Sequence, residues 1–234
     1  MAEHPIIFNS KSIQAIVAGA KSQTRRVVKP LVYMKKYCNL RWGGFEDFQE
    51  ANTAAATAAK LNLSQGLKVC PYGEVGDKLW VRETWGSPDA DYIRCKEGRK
   101  PKLGDKIVYR ANPADDYQWS KGKPSQGSFC WRSPIFMPKW AARIWLEITG
   151  MRVERLQDIS EEDAIAEGIG YGFQRNSGWP DYLHIKNGIC ELTQDTARMS
   201  YSTYWDSINA KRGHPWENDD WVWVIEFKQI ESEE

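Results

Sequence analysis

The sequence predicts an α+β domain: a mostly antiparallel, partly closed β-barrel with flanking helices and long inserted loops. Two observations lead there. Segments near 6–8, 79–84, 143–149, 151–156 and 221–227 carry the short apolar and alternating patterns of half-buried strands. The helical patterns beside them are short, and no internal repeat or low-complexity linker divides the 234 residues. Strands that each bury one face need a common interior, and closing the sheet on itself removes exposed edges. One domain over 1–234 is expected, with insertions near 31–70, 86–140 and 170–210.

Each element has a local reason. Ile6-Ile7-Phe8 reads as the first strand. Asn9 or Ser10 can cap a helix that places Ile13, Ile16 and Val17 on one face and ends at Gly19. Within the first insertion, 51–60 is alanine-rich and helix-prone but short of large apolar residues. Cys70-Pro71-Tyr72-Gly73 and Gly76-Asp77 are turn chemistry. After them Leu79 and Val81 alternate with Trp80 and Arg82, so one face is buried and the other carries a ring and a cation. Residues 107–110 form another short strand, followed by a loop-rich stretch up to Pro138. Ile144, Leu146 and Ile148 then alternate with Arg143, Trp145 and Glu147, and 151–156 continues the sheet. Ser160 caps a helix, with Asp163 in a capping-box-like position and Gly168 and Gly170 ending it. A helix over 196–209 puts Tyr201, Tyr204, Trp205 and Ile208 on one face. The strand at 221–227 finishes the fold, with Trp221 and Trp223 on one face as core.

Composition narrows the function. A hydrophobic content of 41% is enough to bury a core. No run of about 18 apolar residues occurs, so no membrane span is expected. The first residues lack the basic start and apolar stretch of a secretory signal, so a cytoplasmic location is expected. The five cysteines are scattered without a CxxC pair, which suits reduced thiols and argues against zinc. His4, His184 and His214 lack ligand spacing, and Gly170-Tyr171-Gly172 lacks the third glycine of a dinucleotide fingerprint, so neither metal nor cofactor is expected. The net charge of +1 hides an uneven layout, with cations crowding 21–36 and 94–110 and acids 154–167. That layout is compatible with nucleic acid. Twelve tryptophans exceed ordinary usage, and Trp80, Trp85, Trp131 and Trp179, at strand edges or in loops, are the ones suited to stack on a base.

The stretch Lys21-Ser22-Gln23-Thr24-Arg25-Arg26, directly behind Gly19 and Ala20, is the most informative in the chain. Lysine near threonine is the raw material of an activated nucleophile, because a desolvated amine can take the hydroxyl proton. An arginine two residues on can hold a phosphate, a carboxylate or a partner acid. The structural alternative is a helix end closed by Gly19, with cations favoured by the helix dipole.

This order, Gly-x-Lys-x-x-Thr-x-Arg, resembles the N-terminal signature of ASCH domains, small β-barrels related to the PUA fold of RNA-modifying enzymes. Gly76-Asp77-Lys78-Leu79-Trp80-Val81, the acidic run from Asp158 to Glu167, and Trp223-Val224-Ile225-Glu226-Phe227 follow in the order of that family. The resemblance covers about half the chain and implies removal of the acetyl group from N4-acetylcytidine. It assigns catalysis to Lys21, Thr24 and Glu167, with Glu161 and Glu162 close by. Thr24 would attack and Lys21 act as base; Glu167 would orient the lysine, protonate the departing amine, or hold water or the base edge. Arg26, Trp80 and Arg82 are the expected substrate contacts. Two functions follow: an amidohydrolase on an N4-acylated cytosine or similar base, or a non-catalytic module binding RNA, DNA or a modified base. The partner is a modified nucleoside or a nucleic acid in both, and the sequence carries no signal for oligomeric state.

Overall fold

Five segments make the central sheet; burial alternates along residues 78–82, whereas 23–25 and 222–225 are buried throughout. The computed structural model describes residues 1–29, 53, 56–57, 60, 70–87, 101–112, 131–170, 178–186, 189–190 and 192–231. Most of the helix expected over 51–60 and much of the three expected insertions lie outside these residues; of 51–60, positions 53, 56, 57 and 60 are described and helical. The sheet strands are β1 (Glu3–Ile7), β2 (Gln23–Val27), β3 (Lys78–Arg82), β6 (Trp145–Arg155) and β11 (Trp221–Ile230), in the order β1-β3-β6-β11-β2. Two-residue ladders join β4 (Trp85–Gly86) to β5 (Val108–Tyr109), β7 (Trp179–Pro180) to β10 (Thr193–Gln194), and β8 (Ile185–Lys186) to β9 (Ile189–Cys190). The helices are α1 (Ser10–Val17), α2 (Glu161–Ala166) and α3 (Ala197–Asn209). The chain is thus mixed α+β.

Among the described residues the expected barrel closure is absent. Only β1 and β3 pair in parallel within this sheet, the other pairings being antiparallel, and the ladder ends at β1 on one side and β2 on the other. Alternation fixes which face of a strand is buried; it does not fix which edges meet. Here the space between the two edges is a cleft, spanned by the Arg26 Nη2 donating to the Ile7 carbonyl at 2.6 Å. The segments expected at 143–149 and 151–156 are one continuous strand. Gly150 lies opposite Glu226 at a register shift, and its missing Cβ leaves room for the Glu226 carboxylate.

Both faces of the sheet are covered. Ile13 and Ile16 of α1 pack with Leu79, Val81, Leu146, Ile148, Trp223 and Ile225. Against the other face, Val222 and Val224 meet Ala164 of α2 and Tyr201 and Trp205 of α3. Each large side chain so buried contributes roughly 1.5–3 kcal/mol. Trp85 packs with Met137 and Ala141 in a smaller cluster at 2% exposure, so it is core and has no free face for a base. The helix starts follow the residues that cap them: Asn9 Oδ1 accepts from the Ser12 amide (2.8 Å), Ser160 Oγ from Asp163 (3.1 Å) and Thr196 Oγ1 from Met199 (3.2 Å). Among the described residues no helix is long and apolar enough to cross a membrane.

Candidate active site

The motif behind Gly19 is not a turn. Gly19 ends α1 with φ +71°, which a glycine adopts without strain. The chain then runs into the edge strand β2, where Gln23, Thr24 and Arg25 are all buried. Lys21 forms an isolated antiparallel bridge to Glu167, and the Ser22 amide donates to the Ala166 carbonyl at 2.9 Å. The end of α2 is therefore fastened to the start of β2 by backbone, and the two side chains meet for that reason. Gly168 permits the approach: its φ is +90°, and a Cβ there would lie 3.2 Å from Lys21 Cβ and 2.9 Å from Ala15 Cβ.

Lys21 Nζ donates to Glu167 Oε2 at 2.6 Å and to the Glu167 backbone carbonyl at 2.7 Å. Arg25 Nη1 reaches Glu167 Oε1 at 3.4 Å. Both carboxylate oxygens are thus occupied by cations, with all three side chains enclosed. Burial pushes the lysine amine below its usual range; Glu167 pulls it back up, and Arg26 and Arg25 add to the lowering. A neutral amine has two N–H donors and one lone pair. In the deprotonated form two donors would match Glu167 Oε2 and the Glu167 backbone oxygen, leaving the lone pair to accept a proton.

Behind this trio stands a second set of charges. Arg25 Nη2 also donates to Asp163 Oδ2 (2.8 Å) and to Glu154, and Arg152 binds Asp163 (2.6 Å), Glu154 (2.8 Å) and Glu226. Asp163 is pushed up by burial, yet Arg25 and Arg152 hold it below the usual carboxylate range.

The trio forms part of the wall of a cleft of about 820 Å³. Thr24 lines it, 5% exposed, and among the described residues its hydroxyl makes no hydrogen bond. Tyr201, 2% exposed, lines it too and likewise has no hydrogen-bond partner among these residues. Burial, then the nearby Glu167, raises the Tyr201 phenol well above its ordinary value, so it stays a donor. Tyr204 is tied down instead, bonded to Ser12 Oγ (2.8 Å) and to Asn9 Nδ2 (3.1 Å).

Lys21, Thr24, Glu167 and Arg26 therefore share one cleft, although no hydrogen bond joins Lys21 to Thr24. Arg25 rather than Arg26 braces the acid. Trp80 and Arg82 are not among the residues lining the cleft. Arg82 stacks over Trp80 at 5.2 Å and donates to the Ile135 carbonyl, which steadies the 133–135 wall. Sequence reasoning missed Tyr201 as a site residue, placing it only on one face of a helix; a tyrosine buries its ring while its tip can reach a site. It also missed Arg25, whose signal was a second cation in the motif with two acids, Asp163 and Glu167, one helical turn apart. Among the described residues no cluster of His, Cys, Asp and Glu could hold a metal ion. Comparison of the chain with protein-family models, with curated proteins and with solved structures finds no match.

Proposed function

We propose that this chain is an ASCH-type amidohydrolase that removes the acyl group from an N4-acylated cytosine or a closely similar base. The observation that carries the reading is the convergence of an enclosed amine of lowered basicity with an uncommitted, nearly buried hydroxyl in one cleft. Thr24 Oγ1 attacks the acyl carbonyl and its proton passes to the Lys21 lone pair. The C–O bond forms as the carbonyl π pair moves to oxygen, where the Tyr201 hydroxyl can donate a hydrogen bond. Collapse expels the base nitrogen, which takes the proton back from Lys21. Water then adds to the acyl-threonine by the same route and releases the carboxylic acid. Glu167 holds Lys21 in place through two contacts and is itself held by Arg25.

Release of acetate from N4-acetylcytidine tests this directly. Lys21→Ala and Thr24→Ala should each lower the rate by about 10²–10⁴, with circular dichroism reporting the fold because Lys21→Ala takes one counter-charge from the enclosed Glu167; Thr24→Ser, which keeps the hydroxyl, should retain part of the rate. The base works unprotonated, so the rate should rise with pH along a limb set by Lys21, centred below the usual lysine range. Wild-type protein that releases no acetate, or a Thr24→Ala variant as active as wild type, would refute the reading.

A further inference from the structure

The cleft carries more positive charge than amide hydrolysis on a neutral base requires. Lys21, Arg25, Arg26, Lys29 and Arg212 line it, against Glu167 as the one carboxylate among its described lining residues. Lys21 and Arg25 are spent on that carboxylate. Arg26, Lys29 and Arg212 form no ion pair among the described residues. Arg26 is nonetheless held in position, by the Ile7 carbonyl at 2.6 Å and by the Phe8 ring 5.1 Å from its guanidinium carbon. Lys29 and Arg212 are exposed, whereas Lys21, Thr24, Arg25, Glu167 and Tyr201 are buried. The cleft thus has an enclosed polar floor and a cationic mouth.

Like charges gathered at a concave surface repel one another and focus potential into it, and an anion there relieves both. A nucleobase amide brings no charge to offer. The floor, with two buried uncommitted hydroxyls, suits the polar edge of a neutral group. At about 820 Å³ the cleft also lies toward the upper end of ordinary ligand pockets, so it has room beyond a base.

We propose that the cleft takes a phosphate-bearing ligand, a nucleotide unit rather than a bare nucleoside, with Arg26, Lys29 and Arg212 meeting the phosphate. Placing the base at the floor rests on the amidohydrolase reading; the phosphate site at the mouth does not. The phosphate could belong to a mononucleotide or to a strand, and both present the same group.

Tryptophan fluorescence reads binding, because Trp205 lines the cleft. Cytidine, cytidine 5′-monophosphate and a short single-stranded oligocytidylate are titrated at low and at moderate salt. The monophosphate should bind about tenfold or more tightly than cytidine at low salt, and added salt should erase that advantage. A Lys29→Ala/Arg212→Ala double variant should bring the monophosphate-to-cytidine affinity ratio close to one, with circular dichroism showing the fold intact. Equal affinity for the monophosphate and the oligomer supports a single-nucleotide site. A tighter oligomer, with log affinity falling by about 0.7 per contact against log salt, supports a strand. Equal affinity for cytidine and its monophosphate overturns the proposal, as does a ratio unmoved by the double variant, or binding of none of the three. Acetate release from N4-acetylcytidine is measured on the same protein. Phosphate-dependent binding without acetate release would sink the hydrolase reading and keep the phosphate site; acetate release with no phosphate preference would do the reverse.

Discussion

Asp163 and Glu167, one helical turn apart, are each held by two cations, and Arg25 serves both. Their surroundings differ. Glu167 and Lys21 are enclosed, 3% and 2% exposed at the side chain, and open only toward the cleft. Asp163 and Arg152 are 25% and 36% exposed, with Glu154 and Glu226 as further partners. The same ion-pair chemistry thus has two consequences. In the outer set solvent screens the charges and any one partner is replaceable. In the inner set the charges are dehydrated, so removing one strands the others, and the amine is held where it can lose its proton.

Glu167→Gln should separate the two sets most sharply. The amide keeps the shape but leaves Lys21 and Arg25 without their buried counter-charge, and loss of one partner of an enclosed pair costs about 3–5 kcal/mol. Urea denaturation measures it. Because Glu167 raises the Lys21 pKa, its removal should also move the rising limb of residual activity to lower pH. Linkage gives the companion sign. Lys21 binds its proton less tightly folded than unfolded, so wild-type stability should increase as pH climbs from the lowered value toward the usual lysine range. A loss under about 1 kcal/mol for Glu167→Gln would mean that the inner set is no more demanding than a surface pair.

Gly168→Ala strains the inner set without touching a charge. The residue would adopt a positive φ with a Cβ against Ala15 and Lys21, and such backbone positions cost about 1–3 kcal/mol. Because the nearest neighbour on the site side is Lys21, acetate release should fall by more than the stability loss explains. If activity and Tm both match wild type, the Lys21–Glu167 bridge tolerates displacement and the fine placement of the amine is unimportant.

How much of this contrast could be read from sequence follows from what each pattern encodes. The Ser160 cap was legible because a hydroxyl three residues before a free amide has a direct local signature, and so were Leu79 and Val81 as core. The strand β2 was not: Gln23, Thr24 and Arg25 are buried by contacts from α2 and the cleft, so no apolar alternation marks them. Openness between β1 and β2 was hidden because alternation is blind to edge pairing. Tyr201 was hidden because helical periodicity reports the ring and not the hydroxyl. That Lys21, Thr24 and Glu167 belong together was an implication of the resemblance to ASCH domains, and the backbone bridge at Lys21 and Glu167 is the physical means by which two of them meet.

The smallest effect should come from the outer set. Arg152→Ala removes contacts to three acids at once, yet its side chain is more than a third exposed and Arg25 still holds Asp163 and Glu154. Exposed pairs contribute about 0–1 kcal/mol, so urea midpoints at neutral pH should shift little and acetate release should be almost unchanged. A pH titration of stability gives the finer reading. Asp163 is held below its usual range, so its contribution is present above the unfolded aspartate value and is lost as pH falls through the lowered folded value. Removing Arg152 takes away one of the two cations responsible, so the acid limb of unfolding should move to slightly higher pH, and added salt should shrink the difference between variant and wild type. A neutral-pH loss comparable to that of Glu167→Gln would place Arg152 inside the enclosed network, and the distinction between the two sets would fail.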